Sequence, residues 1–582
     1  MGEREQRRIM PEVIEAAERD EPPGEPELGL LPVCDPEDVG DPPSVVHAGA
    51  VMAVGTVFSR FTGFLRTVVI GAALGTALLG DAYQTAEMIP YTMYELLLGG
   101  LLASVFVPFL VKRRIRDADG GAATEQRLVG VALLALAVLT VVAVLGADRL
   151  ISLYAGGYEG RQREVTVLLT RLLLLQIFFI GVSGLSSTLL NVRRRFGAPM
   201  WAPIANNLIT MVAGLLFLWV AGRGRTPQTV TDAQLTLLGL GSAFGTMVQS
   251  VLLAWTLRSA GFRWRPRLDL RGSGFGEALR TAIWMLLYVV VAQAGVLVTA
   301  NVATRAGSSA AREAGHAVAG SGLAAYQFAL VVFQLPYAII AVSVITALLP
   351  RMSAHVAGGR RDLVRDDFSR GLRLACALLV PLSLGMLVFA VPGSVALFAY
   401  GSMTPDGARR IGALLMVLAV MVVPFTLHQL LMRVFYALGD TRTPGLIAIP
   451  AGIAQAATAF ALLRFVPARQ VVLGLPVAYG LFYVVGAVCS SLVLRRRLGG
   501  MDGRRIARTL VRLHVAALPA LAFAAAVVWG FGHMHGDRLP SVLTVLVGGL
   551  GGGALYLGTA RLMNVAELGY FTSLARARLH RA

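Results

Sequence analysis

The sequence predicts an all-α polytopic membrane protein of about fourteen transmembrane helices: two parallel six-helix repeats plus two extra C-terminal helices. Three observations carry this. Hydrophobic residues make up 56% of the 582, only 15% are charged, and the mean hydropathy is +0.67, a balance unlike that of soluble domains. After residue 44 the chain is a series of apolar runs, each long enough for the roughly 20 helical residues that cross a bilayer. Motifs also recur between the two halves at nearly one offset.

Residues 1–44 stand apart. They hold 13 acidic and 4 basic residues, interrupted by Pro22, Pro23, Pro26, Pro32, Pro36, Pro42 and Pro43. Such a segment buries too little apolar surface to fold, and reads as a disordered acidic tail. It lacks the basic start and cleavage site of a signal peptide, so the first apolar run reads as a retained span.

The spans centre on 45–74, 81–110, 128–156, 165–190, 200–222, 235–257, 281–303, 321–350, 371–400, 411–435, 445–465, 470–493, 513–532 and 540–560. The connections at 111–127, 191–199, 257–280, 351–373 and 494–512 together hold 27 Lys and Arg, whereas the alternate connections hold about two each. By the positive-inside rule both termini are cytoplasmic. Lys112 is the only lysine, so arginine abundance carries little meaning by itself; its placement does.

The repeat rests on two anchors. Ile89-Pro90-Tyr91 and Leu335-Pro336-Tyr337 lie 246 residues apart, each with Ala-Tyr-Gln upstream (82–84 and 325–327). The segment ending at Gly197 before Pro199, and the one ending at Gly439 before Pro444, lie 242 apart. An even number of spans separates the copies, so the repeats are parallel, related by an axis along the membrane normal. The expected organisation is an acidic tail (1–44), a first lobe (45–257), a basic linker (258–280), a second lobe (281–493), two additional spans (494–560) and a basic tail (561–582).

Enzyme chemistry finds little footing. The sole lysine is followed by Arg113, so no phosphate loop of the Gly-Lys-Ser/Thr type exists, and there is no HExxH or GxSxG. Cys34, Cys376 and Cys489 have no metal-ligand spacing. No cofactor is expected, and the question of a coupling ion stays open. The basic loops, such as Arg263-Trp264-Arg265 and Arg495-Arg496-Arg497, sit beside spans, where they attract anionic membrane lipid; nucleic acid is not an expected partner.

The chemistry concentrates between Gly55 and Pro108. Arg60 and Arg66 lie within the first span, where a charged arginine costs about 2.5–3.5 kcal/mol unless it meets water or an anion. Guanidinium binds phosphate oxygens in a fork and stays charged in a membrane. Six residues put the two about 120° apart around a helix, so both border one broad cavity. Ser59, Gly63 and Arg66 share a stripe. Glu87, Tyr94 and Glu95 on the second span complete the candidate set; the carboxylates either couple an ion or neutralise Arg60 and Arg66. Pro90 and Pro336 bend their helices and, with Gly63, are candidate hinges. Asn206, Asn207, Gln293, Asn301, Gln327, Gln334 and His428 read chiefly as interhelical hydrogen-bonding groups, and Arg171 as a further cation for the cavity.

Phe58-Ser59-Arg60, Gly63-Phe64, Arg66, Asp81-Ala82, Pro90 and Phe106-Val107-Pro108 resemble the opening of the MurJ (MviN) lipid II flippases of the MOP superfamily. Gln334-Leu335-Pro336, Leu348-Leu349-Pro350, Phe435-Tyr436-Ala437 and Asp440-Thr441-Arg442-Thr443-Pro444 resemble the second-half signatures, so the likeness covers roughly residues 45–560. It implies a two-lobed bundle with a cationic central cavity, to which Ser59, Arg60, Arg66 and Asp81 belong, and a polyprenyl-tail groove on the two extra helices. The implied activity moves lipid II, an undecaprenyl-diphosphate-linked precursor, from the inner to the outer leaflet of the bacterial cytoplasmic membrane. The implied partners are lipid II, membrane lipids and cell-wall or division proteins. Departures mark a divergent branch: Tyr94 and Glu95 stand where better-known Gram-negative members carry two arginines, Gly99 replaces a glutamate, and Leu330-Val331 replace an Asp-Arg pair. The alternatives are another exporter of the superfamily, for polysaccharide-lipid or drugs, or a membrane scaffold for cell-wall enzymes.

Overall fold

The computed structural model describes residues 42–96, 110, 121–265, 267, 275–534, 537–565 and 567, the side chains of 42–53 and 275–282 excepted. The acidic tail up to residue 41, the stretch holding Gly99 and most of the basic C-terminal tail lie outside the described residues.

Among the described residues the secondary structure is helical, without strands. In chain order the helices are α1 (Pro42–Leu74), α2 (Leu78–Tyr94), α3 (Ala122–Leu145), α4 (Ala147–Tyr154), α5 (Gly160–Leu174), α6 (Gln176–Val192), α7 (Gly197–Ala221), α8 (Asp232–Ser259) and α9 (Phe275–Ala314). After them come α10 (Leu323–Pro336), α11 (Val342–Ala357), α12 (Arg361–Phe398), α13 (Pro405–Val420), α14 (Val422–Ala437), α15 (Arg442–Phe465), α16 (Ala468–Arg497), α17 (Gly503–Gly532) and α18 (Arg538–Leu562). Among the described residues twelve spans are long and apolar enough to cross a membrane, or thirteen if α13 and α14, bent by 51°, count as one. With α2, which runs to the edge of the described stretch, they follow the expected fourteen in order.

Several expected spans are interrupted, for local reasons. Gly146 separates α3 from α4. A π-helical turn, Tyr337–Ala341, joins α10 to α11 directly after Pro336, because the proline ring cannot donate to the carbonyl four residues back and crowds it. Pro90 lies inside α2, and a π-type turn follows at 95–96. The two prolines recognised as repeat anchors therefore each precede the same distortion. Pro199 and Pro444 likewise both fall on the third residue of a helix, α7 and α15. Helix starts follow the sequence: Thr231 and Gln234 form a reciprocal capping box at α8, and Thr404-Pro405 opens α13.

Helices α1–α8 form one bundle, in which α8 packs on α7, α6 and α5, and α2 on α5. Helices α9–α16 form the second, with α9 on α15, α15 on α16 and α12 on α13. The last two helices pack on each other and on α12. Small residues let these helices approach: at Gly241 a Cβ would lie 2.5 Å from the Ala213 Cβ, and at Gly412 2.6 Å from the Val391 Cα.

The bundles meet at one end, that of the arginine-poor connections. Ser402 donates its N–H to the Ala72 carbonyl at 2.7 Å, and Gly320 to Thr76 at 2.8 Å. Thr304 Oγ1 donates to the Tyr154 carbonyl, Asn301 Nδ2 to Leu153, and Arg312 pairs with Glu159 at 3.0 Å. Gly401, at φ +61°, has no room for a side chain beside Ala72. Among the described residues, every backbone–backbone hydrogen bond crossing between the bundles lies at this end.

Candidate functional site

Between the bundles lie two adjoining cavities. The first, about 550 Å³, is walled by first-bundle residues including Arg66, Gln84, Glu87, Tyr94, Gln176, Asn206 and Gln249, with Gln327 and Phe328 from the second bundle. It runs from Ile70, near the end of α1, and Gln176, at the start of α6, to Pro199 at the start of α7, the end opposite the seal. The second, about 420 Å³, is walled mainly by α9, α10, α15 and α16. Met88, Tyr91 and Gln327 border both.

Arg66 projects into the first cavity and pairs with Glu87 at 3.4 Å, the two side chains being 30% and 23% exposed. Among the described residues this long contact is the one ion pair of Arg66, whose guanidinium has further donors to offer at the cavity wall. Tyr94 shares the wall, its ring 6.4 Å from that of Tyr91.

The other expected site residues are distributed differently. Arg60 is exposed and does not line the cavity; it stands six residues before Arg66, about 9 Å along α1, towards the open end. Glu87, read as a neutraliser of either arginine, faces Arg66. Ser59 is half-buried and uses its carbonyl to accept from Asn207 Nδ2 at 3.2 Å. Gly63 is a contact point: a Cβ there would lie 3.4 Å from Asn207 Nδ2, so close approach of α1 and α7 accounts for it. Glu95 is half-buried at the edge of the described stretch, and Arg171 is exposed outside both cavities.

Asp81, expected in the cavity, is buried in the seal. Its Oδ1 accepts the Ala324 N–H at 2.8 Å, and a Cβ on Gly322 would fall 1.9 Å from its Oδ2. Helix α10 starts at Leu323, so the carboxylate of one bundle caps a helix N-terminus of the other, where orphan N–H groups and the helix dipole favour an anion. The spacing Ser59-Arg60-Arg66-Asp81 could not reveal this, because α10 lies some 240 residues downstream.

The polar residues within spans divide. Asn207, Asn301 and Gln455 make interhelical hydrogen bonds, the last to the Gly295 carbonyl at 3.3 Å and Thr299 Oγ1 at 3.2 Å. Gln293, Gln327 and Gln334 instead line cavity wall, and His428 is buried edge-on to Phe482 and Tyr483. Gln84, Gln176 and Gln249 were missed as site residues; a polar residue at helical spacing within an apolar run was the available signal.

A third space, about 540 Å³, is an almost wholly apolar groove between α12, α17 and α18, lined by Leu378, Leu382, Phe389, Ala517, Leu521 and Gly552 among others. Gly549 and Gly553 face it with open space where a Cβ would stand. Asp440, from the second-half signature, lies outside the spans: it accepts the Thr443 N–H at 2.9 Å and pairs with Arg497 at the end of α16.

Two helical bundles closed at one end around a partly charged cavity, with an apolar groove alongside, define a polytopic membrane transporter. Solved structures share the architecture. One described as "Lipid II flippase MurJ, inward closed conformation" superposes with a TM-score of 0.68 at 17% identity, over 88% of this chain and 98% of that one. An inward-facing MATE multidrug transporter of the MOP superfamily reaches 0.59 at 15% identity, over 77% and 99%. Residues 70–545 match the family model described as "Lipid II flippase MurJ". Among curated relatives, a probable lipid II flippase MurJ of Rhizobium meliloti is 26% identical over 84% of this chain and 87% of its own. The lipid II flippase MurJ of Burkholderia cenocepacia is 28% identical over 68% and 73%. The chain belongs to the MurJ lipid II flippase family.

Proposed function

We propose that this protein flips lipid II from the inner to the outer leaflet of the bacterial cytoplasmic membrane by alternating access, with both termini in the cytoplasm. The observation that carries the reading is Arg66, a half-exposed guanidinium within a span, on the wall of a cavity closed at the arginine-poor, outward end. A diphosphate entering from the cytoplasmic side meets Arg60 near the mouth and then Arg66, with Tyr94 and the amides of the same wall around it. Glu87 holds Arg66 in place until the anion arrives. The polyprenyl chain stays in lipid, lying along the groove of α12, α17 and α18.

In this scheme the first lobe is 45–257 and the second 281–493, and they rock about the distortions that follow Pro90 and Pro336. Each hydrogen bond across the seal contributes about 0.5–1.5 kcal/mol, so a handful amounts to a few kcal/mol, the gap that keeps an alternate state populated at roughly 0.1–10%. Breaking the Asp81–Ala324, Ser402–Ala72 and Gly320–Thr76 contacts opens the outward end. The inside-negative potential assists outward transfer of a diphosphate by about 2.3 kcal/mol per charge per 100 mV. Membrane lipids contact the arginine-rich loops, and cell-wall enzymes are the expected protein neighbours.

The test is binding of a short-chain polyprenyl diphosphate to the full chain in nanodiscs. Arg66→Ala should weaken it by about tenfold or more, and Arg66→Lys should recover part, because a point charge replaces a fork. Unchanged binding by Arg66→Ala rejects the site.

A further inference from the structure

We infer that a further space, at the sealed end, is a binding site for a phosphate-type oxyanion whose occupancy holds the two bundles closed. This space, about 520 Å³, shares no lining residue with the two central cavities or the apolar groove. The first bundle walls it with the starts of α2 and α5 and the connection before α8, the second with the end of α9. The Arg312–Glu159 pair on its wall crosses between the bundles.

Four features favour an anion. Gln162, in the first turn of α5, is 8% exposed, and its Nε2 has no hydrogen-bond partner. A buried donor left unmet is costly, and this amide borders the space. Arg225 gives its Nε to the Ala221 carbonyl and one Nη to the Thr229 carbonyl at 3.4 Å; among the described residues it has no acidic partner. Helices α2 and α5 both start on this wall, and no side chain caps either. Such termini present orphan N–H groups and the positive end of the helix dipole, which suit an anion. Arg312, in the last turn of α9, offsets that helix's carbonyl end and holds Glu159 at 3.0 Å through one Nη. Its guanidinium thus already accommodates one oxyanion and keeps donors to spare.

Two guanidiniums beside one carboxylate, itself paired, oppose a cation, and an apolar ligand would leave the Gln162 amide unmet. A phosphate offers several oxygens to share among a guanidinium fork, an amide and helix N–H groups. The volume falls within the roughly 300–1,000 Å³ usual for small-ligand sites, so the phosphate can carry an organic substituent. Gln162 and Arg225 belong to the first bundle and Arg312 to the second. An anion bridging them is held only while the bundles are together, so binding shifts the population towards closure.

The experiment uses the full chain in phosphate-free maltoside micelles, titrated with inorganic phosphate, glycerol 3-phosphate or short-chain phosphatidylglycerol. At least one should bind, and Gln162→Leu and Arg225→Gln should each weaken it by about tenfold. An unchanged thermal midpoint checks that both variants fold; Arg225 is exposed, so its variant serves if Gln162→Leu does not fold. Arg66→Ala, which alters the central cavity alone, should leave this binding in place. Spin labels at Ala233 and Glu313, exposed on the two bundles near this end, should shift to their shorter distance on adding the ligand, and not in Arg225→Gln. Binding of the soluble phosphates alone makes the ligand a solute; binding of the lipid alone makes it a membrane headgroup. Binding by none of the three overturns the site. So does binding that vanishes in Arg66→Ala and survives undiminished in Arg225→Gln. Binding without any change in distance overturns the closing role.

Discussion

The carboxylate of Asp81, on the second helix of the first bundle, accepts the backbone N–H of Ala324 at 2.8 Å, in the first turn of a helix of the second bundle. One side chain thereby ties the two bundles together at the closed end, and it does so only while Gly322 leaves room for it.

Asp81→Ala should loosen this closure. It leaves a buried N–H unmet, at about 1–3 kcal/mol, enough to move a conformational equilibrium by roughly 5- to 150-fold. Spin labels at Gln228 and Ala317, both exposed at this end, should report longer distances by pulsed electron resonance. Gly322→Ala, whose Cβ would strike Asp81 Oδ2, should have the same effect, and the double variant should be no worse than either single one. Independent additive losses would mean the two residues do not act through one contact.

The Arg66–Glu87 pair separates a structural from a binding role for the arginine. Arg66→Gln and Glu87→Gln should each depress lipid II export in a flippase-depleted strain. The double variant should remain inactive while inserting normally. Rescue by the double change would assign Arg66 to neutralising Glu87.

Gly549→Phe should project a ring into the apolar groove, since open space surrounds the Cβ position. Binding of a long polyprenyl diphosphate should fall several-fold, with that of a water-soluble diphosphate unchanged. Equal affinity for the long chain would remove the groove from the account.

Asp440 gives a pH dependence. Burial acts to raise its pKa, but hydrogen bonds from the Thr443 hydroxyl and N–H and from Arg497 outweigh that, and the net shift is downward. A depressed carboxylate contributes stability that is fully present above its ordinary pKa of about 3.9 and lost as pH falls through the folded value. Thermal unfolding of Asp440→Asn in detergent should therefore fall below wild type at pH 7, with the two converging in acid. A difference that persists unchanged at the lowest pH would exclude the ionised carboxylate as its source.

Much of the fold was legible because the membrane imposes length and apolarity, and because arginine placement and the Pro90/Pro336 repeat survive in a single sequence. Arg66 was legible because a charge in mid-span is too costly to be idle. Asp81 was misplaced because its partner is a backbone N–H, which no side-chain pattern announces. The same limit applies to Gly63, whose contact with Asn207 depends on how two helices cross, and to Gln293 and Gln327. An amide in a span looks the same in sequence whether it bridges helices, as Asn301 does, or faces a cavity. Arg60 and Arg66 share a helix, but six residues of rise put only one of them on the cavity wall.

The most direct measurement is the amount of lipid II accessible at the outer surface of a bacterium depleted of its own flippase and supplied with this protein. Wild type should restore outward lipid II and growth, and Arg66→Ala, at equal membrane level, should leave the precursor accumulated on the inner side. If correctly inserted wild-type protein leaves lipid II inside, or if Arg66→Ala exports it as well as wild type does, the central claim is contradicted.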